Sequence, residues 1–138
     1  MADLLALEVV TPERLLVREE VATVQAPAKN GYLGVLPGHA PLLAELGIGF
    51  LYYEGGGGGR HYMAVHGGFL EVLQDRVRVL ADSAERAEDI DVQRAKAAMK
   101  RAEEQVFKPT PDVDPAVALG AMARAQARLD AAAQKQPA

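Results

Sequence analysis

The apolar residues of this chain change period once, across Asp82-Ser83-Ala84-Glu85-Arg86-Ala87-Glu88-Asp89-Ile90-Asp91-Val92-Gln93-Arg94-Ala95. Before this segment, apolar residues alternate in short bursts and glycines recur. After it, alanines and charges repeat at helical spacing, with no glycine until Gly120. A period of two lines one face of a strand, and a period near 3.6 lines one face of a helix. The chain is therefore read as β plus α, with a β domain over residues 1–84 and a helical hairpin over residues 85–138.

In the β half the runs are 4–10, 14–18, 21–26, 32–36, 42–46, 48–54, 61–66, 69–73 and 76–80. Turn signals such as Lys29-Asn30-Gly31 and Gln74-Asp75 separate them. About nine or ten short strands at regular spacing predict a β-sandwich or flattened barrel. Gly55 to Gly59 is five glycines in a row. Arg60-His61-Tyr62 follows, not the Gly-Lys-Ser/Thr of a phosphate loop, so a hairpin tip is the better reading. Pro37-Gly38-His39-Ala40-Pro41 is irregular, because proline lacks a donor and steers its predecessor from helix.

The helical half opens on acids, Glu85, Glu88, Asp89 and Asp91, and continues into bases, Arg94, Lys96, Lys100 and Arg101. That order suits a helix dipole, with Asp89 as the expected N-cap. Ala95, Ala98, Met99, Ala102 and Val106 form a narrow small-residue stripe. Pro109 and Pro111 end this helix, and Asp114-Pro115 starts another, with Val117, Ala118, Ala121, Met122, Ala125 and Leu129 as its apolar face. An alanine seam lets two helices approach closely but buries little area, so the hairpin is expected to be weakly held and able to leave its docking site.

Composition narrows the chemistry. There are no cysteines, which excludes disulfides, thiolate metal sites and cysteine nucleophiles. A net charge of −4 argues against nucleic acid. No apolar run reaches the ~18 residues of a membrane span, and no secretory signal is expected at the N-terminus. His61 and His66 lie an odd number apart on one strand and point to opposite faces, so no metal site is expected. Ser83 lacks the glycines of a nucleophile elbow. No catalytic residues are assigned.

The arginines are the sharper signal. Arg94 and Arg101 are seven apart on the first helix, and Arg124 and Arg128 four apart on the second. In an antiparallel hairpin these pairs converge on one anion, for which the guanidinium fork is suited. Asp91 stands one turn before Arg94, placed to orient it or to accept from a base or ribose. A solvated charged face accounts for the same spacing.

Three blocks carry a resemblance: Gly34-Val35-Leu36-Pro37-Gly38-His39-Ala40-Pro41-Leu42-Leu43, Gly67-Gly68-Phe69-Leu70-Glu71-Val72, and Val79-Leu80-Ala81-Asp82-Ser83-Ala84-Glu85. In this order they resemble the epsilon subunits of bacterial F-type ATP synthases, over essentially the whole chain. The resemblance implies an N-terminal ten-stranded β-sandwich followed by a C-terminal antiparallel αα-hairpin. It implies a non-catalytic rotor subunit of the central stalk, peripheral on the cytoplasmic face of the bacterial inner membrane without inserting into it. There it couples proton transport to ATP synthesis and restrains ATP hydrolysis.

The implied partners are the gamma subunit and the c-ring and, when the hairpin extends, the alpha and beta subunits. Asn30, Gly31, Tyr32 and His39 are the implied contact residues, although family members often carry an acid or small polar residue where Tyr32 stands. The basic second helix, with Arg124, Arg128 and Lys135 against Asp130, suits an acidic segment of the beta subunit.

No cofactor is required. In some family members the folded-down hairpin binds ATP as a regulatory ligand through an Ile/Leu-Asp-x-x-Arg-Ala motif. Ile90-Asp91-Val92-Gln93-Arg94-Ala95 matches it, with Arg101, Arg124 and Arg128 as further phosphate contacts and Glu85 on the adenine side. A stand-alone ATP-sensing module is the alternative, and tight ATP binding with no need of gamma distinguishes it.

Overall fold

A computed structural model describes residues 3–134, so Lys135 lies outside the described residues. The strands are β1 (Leu5–Val10), β2 (Leu15–Ala28), β3 (Gly31–Val35), β4 (Leu42–Gly55), β5 (Arg60–Leu73), β6 (Arg76–Ala81) and β7 (Ala84–Arg86). A 3₁₀ turn, Ala87–Asp89, leads to the helices α1 (Val92–Phe107) and α2 (Pro115–Gln134).

The order β1-β6-β5-β4-β2-β3, with β2 also pairing β1, closes five strands into a flattened barrel. β3 extends it from β2, and β7 pairs β5. The β1–β6 pair is parallel and the other pairs are antiparallel. The core is aliphatic, built on Leu5, Leu7, Val9, Val24, Leu51, Met63, Leu70, Val77 and Val79.

The described residues form seven strands, not ten. The expected breaks at Glu19-Glu20, Gly47 and Gly67-Gly68 are bends inside β2, β4 and β5, each 14 residues long. A bend re-aims a strand without ending its pairing, so one strand serves both layers. The first half of β5 pairs β7 and the second half pairs β6. Gly68 makes this possible: its φ is +117°, and a Cβ there would stand 2.0 Å from the Leu80 carbonyl oxygen. Ala84–Arg86, of which Glu85 and Arg86 are assigned by sequence to the helical tail, supplies the seventh strand.

The five glycines close the β4–β5 hairpin, where the Gly55 N–H donates to the Gly59 carbonyl at 2.8 Å. Opposite Pro27, which has no N–H to give, β4 bulges away from β2, and the register jumps from Gln25↔Tyr52 to Ala28↔Leu46. In the bulge the Phe50 N–H donates to the Tyr32 hydroxyl instead, at 3.3 Å. Gly49 permits that approach, since a Cβ there would lie 2.8 Å from Pro27 and 3.0 Å from Tyr32 Oη.

Asp91, rather than Asp89, caps α1: its Oδ1 accepts from the Arg94 N–H at 3.1 Å. Asp89 is taken up by the 3₁₀ turn before the helix. Asp114 caps α2 as expected, accepting from the Ala116 N–H at 2.9 Å. Ala95 and Ala102 of α1 are buried, as are Ala118 and Ala125 of α2. Val117, expected on the apolar face, is 64% exposed.

A second face of α2 rests on the sheet. Ala127, Ala131 and Ala132 pack with Ala64 and Ile90, flanked by Phe50 and Val92. Among the described residues, Ile90 is the one buried side chain larger than alanine in that seam, so the docking area is small.

Candidate functional site

Docking of the hairpin leaves a cleft of about 420 Å³ between the start of α1, the strand β7 and α2. Each wall has a local cause. The Asp91 cap starts α1 beside the sheet, and the helical period then brings Arg94, Ala98 and Arg101 down one wall. β7 holds Glu85 at the opposite edge through its pairing with Ala64. Arg128 enters from α2.

Of the residues proposed from sequence, Glu85, Asp91, Arg94, Ala95, Arg101 and Arg128 line this cleft. Ile90 does not: it is buried in the seam between hairpin and sheet. Arg124 does not line it either, and its guanidinium lies back along its own helix near Gly120. Asp89, Ala97 and Ala98 also line the cleft. Asp89 was legible only as a cap, and the two alanines only as helix formers.

The electrostatics are balanced, with Glu85, Asp89 and Asp91 against Arg94, Arg101 and Arg128. Glu85 Oε1 accepts from Arg128 Nε at 2.5 Å, with the side chains 37% and 30% exposed. Among the described residues, Arg94 and Arg101 form no ion pair, so two forks stand ready for an anion. Asp91 has one oxygen committed to its cap and one free. Alanines at 95, 97 and 98 keep the floor low enough for a planar group to approach. The arrangement suits an anionic ligand with a flat polar part, held by charge-assisted hydrogen bonds.

The first half of the segment where the period changes, residues 82–88, is tied to the sheet for part of its length. Ala84–Arg86 is paired to β5, and the Arg86 guanidinium donates to the Leu16 carbonyl. Strand pairing ends at Arg86, and the chain passes through the 3₁₀ turn Ala87–Asp89, where the Ile90 N–H donates to the Ala87 carbonyl at 3.3 Å, before α1 begins.

The expected contact residues separate into two places. Asn30, Gly31 and Tyr32 line a groove of about 420 Å³ with Leu42, Leu43 and Glu45. Lys29 and Glu45 pair across it at 3.4 Å. Tyr32 is 51% exposed, but its hydroxyl is spent on Phe50. His39 lies outside this groove in the irregular loop, its Nδ1 2.7 Å from the Ala40 carbonyl oxygen. No group of metal-ligating side chains occurs among the described residues, and no helix there is long and apolar enough to cross a membrane.

One polar residue of the site's surroundings went unread in the sequence. In the sequence His66 stands only as half of an unsuitable metal pair with His61. It is 6% exposed, and it sits on β5 two residues from Ala64 of the docking seam.

The beta-sandwich domain of the ATP synthase delta/epsilon chain matches residues 4–87, and the long alpha-helix domain of that family matches residues 88–133. The chain is 64% identical over 135 residues to an ATP synthase epsilon chain of Solibacter usitatus, covering 98% of this chain and 100% of that one. It is 50% identical over 112 residues to an ATP synthase epsilon chain of Koribacter versatilis, covering 81% and 78%. In three dimensions it is similar to a chain of the Euglena gracilis mitochondrial ATP synthase, solved with OSCP, F1 and the c-ring in rotational state 1. The TM-score is 0.83 at 26% identity, over 96% of this chain and 82% of that one. The chain belongs to the ATP synthase delta/epsilon chain family, as a bacterial epsilon chain, a non-catalytic stalk subunit of the ATP synthase complex.

Proposed function

We propose that this chain is a rotor subunit of the central stalk, coupling proton transport to ATP synthesis. Its hairpin restrains ATP hydrolysis when it extends along gamma toward the alpha and beta subunits, and ATP in the cleft favours the docked form. The observation that carries this reading is the cleft itself. Arg94, Arg101 and Arg128 converge there beside Glu85 and Asp91, on a hairpin held to the sheet mostly by alanines. A ligand bridging both helices and β7 stabilises the docked form by its own binding free energy.

Two surfaces support the proposed partners. Phe69 and Leu80 are exposed cross-strand neighbours, and the row continues through Val10 to exposed Leu15. An exposed apolar row across four strands is a protein-binding face, which we assign to gamma. The groove at Asn30, Gly31 and Tyr32 is assigned to the c-ring. The site of action is then the cytoplasmic face of the bacterial inner membrane.

Calorimetry of the full chain with ATP, beside Arg94→Ala, tests the ligand. A binding heat lost in the variant supports it, and equal weak heats in both remove it. Capture of gamma by the full chain and by Phe69→Asp tests the partner face, and equal capture removes that assignment.

A further inference from the structure

His66 is buried, yet neither Nδ1 nor Nε2 has a hydrogen-bond partner among the described residues. Its strand alternates: Met63 and Val65 point into the barrel core, while Ala64 points outward into the seam with Ile90 and α2. His66 shares the outward face of Ala64, the face of β5 on which α2 packs.

The groups around the ring are uneven in charge. Arg124 and Arg128 face it from α2, and Glu85 faces it from β7. From β4 its cross-strand neighbour is Ile48, which carries no charge. Glu85 is already paired to Arg128. A proton on His66 would therefore add a third positive charge beside two guanidiniums and one carboxylate in use, without a hydrogen-bond acceptor of its own. A buried charge without partners is costly and is relieved by exposure.

We infer that His66 is a proton-operated release for the hairpin: neutral beneath α2, it permits docking, and protonated, it expels α2 from the sheet. The effect is separate from nucleotide binding but rests on the reading that the hairpin can leave the sheet. Burial, then Arg128 and Arg124, hold the docked imidazole down at about 4 against an ordinary 6.5, with Glu85 opposing. The released form thus binds the proton first. Docking is at full strength above the ordinary value, weakens as pH falls below it, and levels off below the docked value. From about pH 7.5 to about pH 5.5 these values weaken docking about ten-fold.

The chain has no cysteine, so one introduced thiol reports on one place. In the full chain, Ala132→Cys puts a thiol in the seam, and Lys108→Cys in a second protein puts one on the exposed hairpin end. The ratio of their maleimide labelling rates at each pH removes the intrinsic dependence of thiol reactivity. The expected ratio rises about ten-fold between about pH 7.5 and about pH 5.5 with His66 present, and stays nearly flat in His66→Asn.

An equal rise in both backgrounds overturns the inference, and so does a flat ratio in both. A seam thiol that never labels overturns it by removing the mobility itself, whereas a seam that labels independently of pH removes only the proton dependence. Imidazole NMR on the unsubstituted chain gives an answer free of any folding defect in the variant. A docked His66 midpoint well below the ordinary value supports the release, and an ordinary midpoint overturns it.

Discussion

Arg128 Nε donates to Glu85 Oε1 at 2.5 Å, joining α2 to β7 across 43 residues of sequence. It is the one ion pair among the described residues that links the hairpin to the sheet. Both partners are about a third exposed, so solvent screens the pair, and Arg128→Ala is expected to weaken docking by ~0.5–1 kcal/mol. Faster labelling of a seam thiol, with an unchanged sandwich melting temperature, is the measurement.

Arg94 presents its side chain to the cleft, while its backbone N–H is capped by Asp91. Arg94→Ala therefore keeps the cap and loses only the fork. If ATP occupies the cleft as proposed, losing a charge-assisted contact of ~1.5–3 kcal/mol is expected to weaken its binding about 10- to 150-fold in calorimetry. Helix content by circular dichroism is expected to stay the same.

Asp91→Ala acts on the helix first. Removal of the cap costs about 1 kcal/mol and frays the first turn of α1. Amide exchange at residues 93–95 is expected to quicken while that of α2 is unchanged. Asp91→Asn, which keeps an accepting oxygen, is expected to restore protection.

Gly68→Ala meets the Leu80 carbonyl at 2.0 Å in a backbone conformation that disfavours side chains. The bend that lets β5 serve both layers cannot survive it unchanged. A loss of at least about 2 kcal/mol is expected, read as a melting-temperature drop of about 5–10 °C. Gly49→Ala is expected to cost less, because its nearest contact, Pro27 Cβ at 2.8 Å, is a smaller overlap and its φ is not positive, but β2 and β4 must part slightly and the Phe50 N–H is expected to become open to exchange.

Glu8 accepts from Arg18 at 2.9 Å and from Arg78 at 3.1 Å, and Arg18 first, then Arg78, hold its carboxyl below the usual range. A carboxylate lowered in the folded state adds stability above its unfolded value, and that contribution is lost as pH falls through its folded value. The stability gap between wild type and Glu8→Gln is expected to be open at neutral pH and to close in acid. Urea denaturation at about pH 7 and about pH 3 reads it.

Much of this protein was legible in short windows of sequence. The change of period at Asp82–Ala95 separates a sheet from a hairpin in the structure. Asp114-Pro115 starts α2, and Gly55 to Gly59 turns β4 into β5. Paired acids at Glu19-Glu20 and glycines at Gly47 and Gly67-Gly68 misled the strand count; at Gly67-Gly68 a positive φ within a strand and a positive φ in a turn look the same in sequence. Only the unbroken pairing of β5 past Gly68 tells them apart.

The sequence by itself determined what spans a few residues: where each period holds, where helices are capped, and that Arg94 and Arg101 share a helix face. These follow from local steric and hydrogen-bonding rules with a reach of about four residues. The tertiary structure alone decided which faces meet. It paired Glu85 with Arg128, set Arg124 outside the cleft, sank Ile90 into the seam and buried His66. Those outcomes depend on one docking between a helix and a sheet distant in sequence, and no local pattern encodes the face on which that docking occurs.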